Sequence, residues 1–546
     1  MTSRAILVWL LVIVSVGTGV GARQIAAAAS GAREQVPSTV QAHGLAPSSL
    51  PARVVLPGLV HDATHAFRIW VQNPTASASV ITVAYYNQDG TLVPGGVETR
   101  TNVAAGSHGN FPFDTTTLPS PFRGLAVISS DGPVDAVARQ WPSDPSQPGA
   151  NSISRGYPVS TDPGSTVTLP YVSNTLDATF DTLTTIANTG SQTACVQITY
   201  SFVPGAGSVG ADGLPPLLDP GPGGGGCATG YPIAMDGQLT FGPEGAGTGI
   251  LPMPGGTADA LMSATVTSTG ASVAASVYAY LSNGSLKGES YSGFSVKPAP
   301  TTGPRTDDLG TEISIPVALK TADGYYSEIL ISNPNPSPAT ITIDYESGTQ
   351  TYPVNLTIPA NGVGNHSVYA DNVVPIGFIG AAVVHSSQPV AAVVFRSKMT
   401  TAYSYVDEDL YTAMNGVPIA DGSTTANFPY VTRHINADVA HAGYNSWESV
   451  TVVGGGTAHL TLTTVAQGIS NPTCTTSGPF TTTKTITGSF VFYQNADQDN
   501  GLGADPSCLV GTMTITSDVP IIAVGDVVND LINGDQEGGY NAFTGP

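Results

Sequence analysis

A hydrophobic-proline opening recurs along this chain at a spacing that few folds can accommodate. It reads Val55-Leu56-Pro57, Leu169-Pro170-Tyr171-Val172, Ile315-Pro316-Val317 and Phe428-Pro429-Tyr430-Val431. Successive prolines lie 113, 146 and 113 residues apart, so first-to-third and second-to-fourth are both 259. Two equal long offsets point to a pair of units duplicated together, A-B-A′-B′, and such self-similarity is read before any element is assigned. Intervening text agrees. Ile69-Trp70-Val71-Gln72-Asn73-Pro74 is answered by Ile329-Leu330-Ile331-Ser332-Asn333-Pro334, and Ala264-Thr265-Val266-Thr267-Ser268 by Met513-Thr514-Ile515-Thr516-Ser517.

The third unit displays the local pattern most cleanly. Ile341, Ile343 and Tyr345 alternate with Thr342 and Asp344, the period-2 sign of a strand with one buried face. Strands are expected at 312–318, 326–332, 339–346, 350–358, 364–369, 379–385 and 389–396. Seven short strands in about a hundred residues suit an immunoglobulin-like sandwich. Composition agrees: charged residues are 10% of 546, against 63 Gly and 43 Pro, which disfavours helices with charged outer faces.

The cadence hydrophobic-Pro, I-x-V-Q-N-P, V-T-I-x-Y, then the strand carrying Gln388-Pro389-Val390-Ala391-Ala392-Val393, resembles the tandem Ig-like or fibronectin-III-like β-sandwich repeats of bacterial extracellular surface proteins. The resemblance implies an all-β chain of four tandem immunoglobulin-like β-sandwich domains in an A-B-A′-B′ duplication. It also implies a spacer, adhesive or envelope role, and it brings no catalytic residues. Expected boundaries are a signal peptide at 1–22, a linker at 23–50, sandwich A at 51–158, B at 159–297, a linker at 298–310, A′ at 311–418 and B′ at 419–546. Further linkers are expected at 141–161 and 400–426. Four domains in line are expected, a rod-like spacer or adhesive protein; adjacent domains that packed together would make it compact instead, and the sequence does not decide between them.

The N-terminus reads as an export signal, with Arg4, an apolar run over 5–16 and small residues up to Ala22. The charge of −22 repels nucleic acid and anionic headgroups. In an exported chain, Cys195 and Cys227, 32 apart, and Cys474 and Cys508, 34 apart, form the most economical of three disulfide connectivities. Each bridge would stabilise the fold by roughly 3–4 kcal/mol.

Candidate sites are few. Asn495, Asp497, Asp499 and Asp505 gather oxygens on a Gly-rich run that could hold a structural calcium ion, although the register departs from the usual calcium loop; a solvated hairpin loop is the plainer reading. Trp141, in a Pro-rich segment, is the aromatic most suited to a binding platform, whereas Trp70 sits in a core-like strand pattern. His61 and His65 flank Asp62 but lack a third metal ligand. Gly205 to Gly210 spells G-x-G-x-x-G, yet Pro215-Pro216 follows where a helix would have to begin. Signatures of metalloproteases, serine hydrolases and P-loop enzymes are absent. The expected function is a secreted or cell-surface structural or adhesive protein without catalysis or cofactor. Its partner would be an envelope or extracellular polysaccharide or protein; a carbohydrate-binding module and, behind it, a glycoside-active enzyme are the other readings.

Overall fold

The computed structural model describes residues 52–63, 65–111, 118–142, 155–158, 163–174, 180–203, 216–243, 249–253, 260–281, 288–297, 308–322, 324–398, 411–434, 444–466, 479–494, 501–502, 508–529 and 538–544. Every described residue belongs to one compact unit, 40–546. The expected signal, the 23–50 linker, the G-x-G-x-x-G run, Cys474, Asn495, Asp497, Asp499 and Asp505 lie outside the described residues.

The described chain is all-β, apart from a single 3-10 turn at Ile419–Asp421. Six sheets are present, and one pairing plan runs through them four times. In the first stretch Ala52–His61 pairs with Phe122–Ser130, which pairs with Ser79–Asn87, which pairs with Leu92–Val103. Facing this sheet is a second one, His108–Phe111, His65–Gln72, Asp135–Pro142 and Arg155–Pro158 in that order. Thr166–Asn174, Ala260–Thr269, Ala194–Phe202 and Leu217–Asp219 repeat the first order, and Gln238–Gly242, Phe180–Asn188, Val273–Leu281 and Gly288–Ser292 repeat the second. The strands of 310–418 and 423–544 do so again.

These stretches differ in one respect. In the later two, a single 21-residue strand, Phe378–Lys398 or Leu509–Asn529, serves both sheets. Phe378 to Ser386 pairs with Gly310–Ala322 and Ala339–Ser347, and Ala391 to Lys398 with Tyr325–Asn333. The two strands expected at 379–385 and 389–396 are therefore one. Pro389 does not break it, because it sits where the strand leaves one ladder for the other and no amide hydrogen is needed. In the first two stretches, Asp131-Gly132-Pro133 and Gly270-Ala271-Ser272 interrupt the same run.

Within each stretch the alternating apolar residues close a core between its two sheets. Leu56, Phe67, Ile69, Val83, Tyr85 and Phe122 form one, and Ile313, Ile329, Ile341, Ile343, Tyr345 and Val384 another. Fully burying a side chain of this size stabilises by about 1.5–3 kcal/mol. Strands fall within the described parts of two of the expected linkers. Tyr411–Asn415 and Val417–Pro418 are strands inside 400–426, and Asp135–Pro142 and Arg155–Pro158 occupy both ends of 141–161. Polar and Pro-rich text concealed them, because edge strands tolerate both.

The four stretches, called repeats one to four below, are packed head to tail. The sheet holding Arg155–Pro158 contacts its counterparts through that strand, which touches Gly288–Ser292, which touches Tyr411–Asn415, which touches Gly538–Asn541, which returns to Arg155–Pro158. Side-chain amides tie part of this inner circle. Asn415 Nδ2 donates to the Ser292 carbonyl at 2.9 Å, Asn541 Nδ2 to the Asn415 carbonyl at 2.7 Å, and Asn415 N–H to Asn541 Oδ1 at 3.0 Å. A head-to-tail contact whose rotation closes gives a ring.

Candidate functional site: four joints, one left open

The hydrophobic-proline openings are the joints of this ring. Each lies in the first strand of its repeat and carries a register shift where the proline falls, between Leu56 and Leu59, Ile315 and Ala318, and Phe428 and Val431. The second opening does the same between Leu169 and Val172, which face Ala264 and Met262. A bulge of this kind bends a strand and re-aims a side chain. The residue after each proline, Gly58, Tyr171, Val317 or Tyr430, meets the outward face of another repeat's inner sheet.

Three joints are filled. Tyr171 packs on Phe395 of repeat three with ring centroids 4.7 Å apart, in a cluster with Leu330, Val393 and Ala413. At its edge Thr168 and Ser332 hydroxyls share a 2.9 Å hydrogen bond. Tyr430 packs on Trp70 of repeat one at 4.1 Å, with the Arg139 guanidinium 5.7 Å from its ring. Beside it the Asp135 carboxyl is pushed up to about 7 by burial, partly opposed by a hydrogen bond from Asn427. Val317 meets repeat four, where Ser449 Oγ donates to the Pro316 carbonyl at 2.8 Å and Trp447 and Val524 join the apolar cluster of repeat three.

The third of these joints also encloses charge. Arg396 of repeat three is ion-paired with Asp526 of repeat four, both buried, and lies 4.2 Å from the Trp447 ring centroid. Nearby Glu448 has its carboxyl pushed up to about 8, because burial outweighs hydrogen bonds from Gln494 and Ser446. The Gln494 amide reaches Glu448 Oε2 at 2.7 Å. These groups are sealed in, so the cluster is built for holding repeats together.

The joint between repeats one and two differs. Gly58, with φ +81°, stands where the others carry tyrosine or valine, and a backbone at that angle favours glycine. Its N–H donates to Gln238 Oε1 at 3.0 Å. A small apolar group spans this joint, Val55, Leu125, Val127 and Ala187 with Tyr86. Polar contacts accompany it: Arg53 pairs with Asp236 and donates to the Thr189 carbonyl at 2.6 Å, and Gln88 Nε2 donates to the Gly249 carbonyl at 3.1 Å.

The missing side chain leaves a cleft of about 230 Å³. Its floor is the outward face of repeat two's inner sheet, where Thr185, Ser276, Tyr278 and Thr240 sit in register. Tyr278 and Tyr280, two apart on one strand face, stack at 5.3 Å with their planes 8° apart. Gln88, Gln140, Gln238 and Arg123 add polar groups, Leu59, Val60, Leu183 and Ile250 add apolar ones, His65 lies at the lining as well, and no carboxylate lines the cleft. Arg123 makes no salt bridge or side-chain hydrogen bond among the described residues.

Of the residues singled out from the sequence, Cys195 and Cys227 are joined, with Cα atoms 5.6 Å apart, a usual spacing for a disulfide. Cys508 is buried and disulfide-bonded, while its expected partner Cys474 lies outside the described residues. Trp141 is not in an open Pro-rich loop: its backbone pairs with Ala66 near the end of Asp135–Pro142, and its side chain is outside the described residues. Trp70 is buried as expected, but against repeat four rather than in its own core. His65 Nδ1 meets Asp62 Oδ1 at 3.0 Å, and among the described residues no group of three or more His, Cys, Asp or Glu is arranged to hold a metal ion. The cleft escaped the sequence reading because its walls come from two repeats. The available signal was Gly58 in a column otherwise filled by Tyr171, Val317 and Tyr430.

Among the described residues no helix is long and apolar enough to cross a membrane. No family model matches the chain, and no curated protein matches it. Among solved structures, a tetra-tandem repeat in the extending region of a large adhesion protein aligns over 90% of this chain and 98% of its own at 12% identity. Its TM-score of 0.09 is too low to carry any argument about fold or role.

Proposed function

We propose that this chain is a secreted or cell-surface structural or adhesive protein, built from four immunoglobulin-like sandwiches in an A-B-A′-B′ duplication and without catalytic activity. The observation that carries this reading is the use made of the repeated text. The residues that recur four times serve the packing of one repeat on the next, and the buried ionisable groups at the joints, Arg396, Asp526 and Glu448, are shut away from any substrate. A closed ring of sandwiches is a rigid presenting body, and rigid sheets with variable edges suit recognition of an extracellular partner. The Cys195–Cys227 bridge fits an oxidising compartment. A calcium ion held by Asn495, Asp497, Asp499 and Asp505 belongs to the same proposal as a structural group.

The test is co-sedimentation of residues 23–546 with cell envelopes and insoluble polysaccharides, with released sugars assayed in parallel. Binding without release is the expected result. Turnover of a defined substrate that a single carboxylate or nucleophile substitution abolishes would overturn the non-enzymatic reading.

A further inference from the structure

We infer that the cleft between repeats one and two binds an acidic sugar, a hexuronate-type ring whose apolar face lies on Tyr278 and Tyr280 and whose carboxylate is taken by Arg123. The inference deepens the adhesive reading by giving it a ligand class and a site.

The walls of the cleft favour this chemistry. Aromatic faces accept the C–H face of a pyranose, and they keep a polar handle at the rim. Side-chain amides both donate and accept, and hydroxyls do the same, so Gln88, Gln140, Gln238, Thr185, Thr240 and Ser276 suit a ring bearing many hydroxyl groups. A drug-sized ligand takes a pocket of about 300–1,000 Å³, and 230 Å³ admits a single ring. Lipid tails and apolar peptides are disfavoured, because their apolar groups offer no hydrogen bonds to the polar lining of Gln140, Gln238, Thr185, Thr240 and Ser276.

The sign of the charge comes from Arg123. In a chain with 39 acidic and 17 basic residues, the cleft lining holds a guanidinium without a partner among the described residues and no carboxylate, although Asp62 lies 3.0 Å from the lining His65. Repulsion from distant carboxylates is screened beyond about 8–10 Å at physiological salt, so the groups at the cleft decide. A guanidinium binds a carboxylate through two parallel N–H donors, a stronger and more directional contact than one neutral hydrogen bond. At the other three joints Tyr171, Val317 and Tyr430 stand at the position where this one has Gly58.

The experiment is calorimetry and saturation-transfer NMR on residues 23–546 with sodium glucuronate, sodium galacturonate, glucose and galactose. A uronate is expected to bind saturably at one site per chain and at least tenfold more tightly than its neutral counterpart. Arg123→Gln should remove that preference with an unchanged melting temperature, and Arg123→Lys should restore part of it. Tyr280→Ala should weaken acidic and neutral sugars alike. Equal affinity for uronate and neutral sugar would overturn the acidic class. No binding at tens of millimolar, or full affinity in the Arg123 and Tyr280 variants, would remove the site itself. Co-sedimentation with polysaccharide but no binding of any free sugar would leave the adhesive reading standing while ending this one.

Discussion

The joint between repeats two and three and the joint between repeats one and two share one backbone design and opposite contents. In the first, Tyr171 meets Phe395 and Leu330, and apolar surface closes around them. In the second, Gly58 meets Thr185, Ser276 and Tyr278 across open space. The bulged proline strand sets where two repeats meet, while the residue after the proline sets whether the meeting place is a seam or a site. Between these extremes lies the joint of repeats three and four, filled in part by the Arg396–Asp526 pair.

Breaking the filled seam should cost most. Phe395→Ala removes an aromatic side chain from a closed cluster and should destabilise by about 3–5 kcal/mol, read as a lower midpoint in denaturant unfolding. No comparable loss would mean that the repeats touch without depending on one another. Asp526→Ala strands a buried guanidinium and should cost nearly as much, about 3–5 kcal/mol. The paired change Arg396→Met with Asp526→Leu should recover most of that, since an apolar pair of similar volume is often neutral. Recovery would identify the charges as a device for specificity rather than stability. Cys195→Ser with Cys227→Ser should cost about 2–4 kcal/mol, and reduction of the wild type should reproduce the loss.

The ionisable groups predict a pH slope of definite sign. Glu448 and Asp135 have folded pKa values of about 8 and about 7, above their ordinary 4.5 and 3.8. The folded state therefore holds protons that the unfolded state has released, and stability falls as pH rises through those windows. His108, lowered by burial to about 3 from 6.5, acts in the opposite sense but only below about its unfolded value. Melting temperature should consequently fall between pH 6.5 and 8.5, and Glu448→Gln should flatten the upper part of that fall. The smallest effect belongs to the open joint. Thr185→Val removes a buried hydroxyl that pairs with Thr240 at 3.1 Å and should cost only about 1 kcal/mol, while altering any ligand binding there.

Strand positions were legible because alternation marks a buried face whatever the surroundings: Ile341, Ile343 and Tyr345 are buried and Thr342 and Asp344 are not fully so. The recurrence of the openings was legible too, but its purpose was not, since a Pro-x pair in a strand reads equally as an edge or a bulge. Trp70 shows the limit plainly. Its apolar context announced burial, yet the partner that buries it, Tyr430, lies 360 residues away and no local pattern connects them. Seven strands read as six at 310–418 before its last short pair because a sheet-switching strand looks, in sequence, like two strands and a turn.

The closed inner circle has a consequence for how the molecule can be rewired. Three of its joints are bridged by the peptide chain, and the fourth, Tyr430 on Trp70, is held by non-covalent contacts. That last closure works as binding between tethered partners at a high effective concentration. A circular permutant, with 544 linked to 52 and the chain reopened between Val417–Pro418 and Ser423–Arg433, should assemble the same ring with a different seam left unbridged.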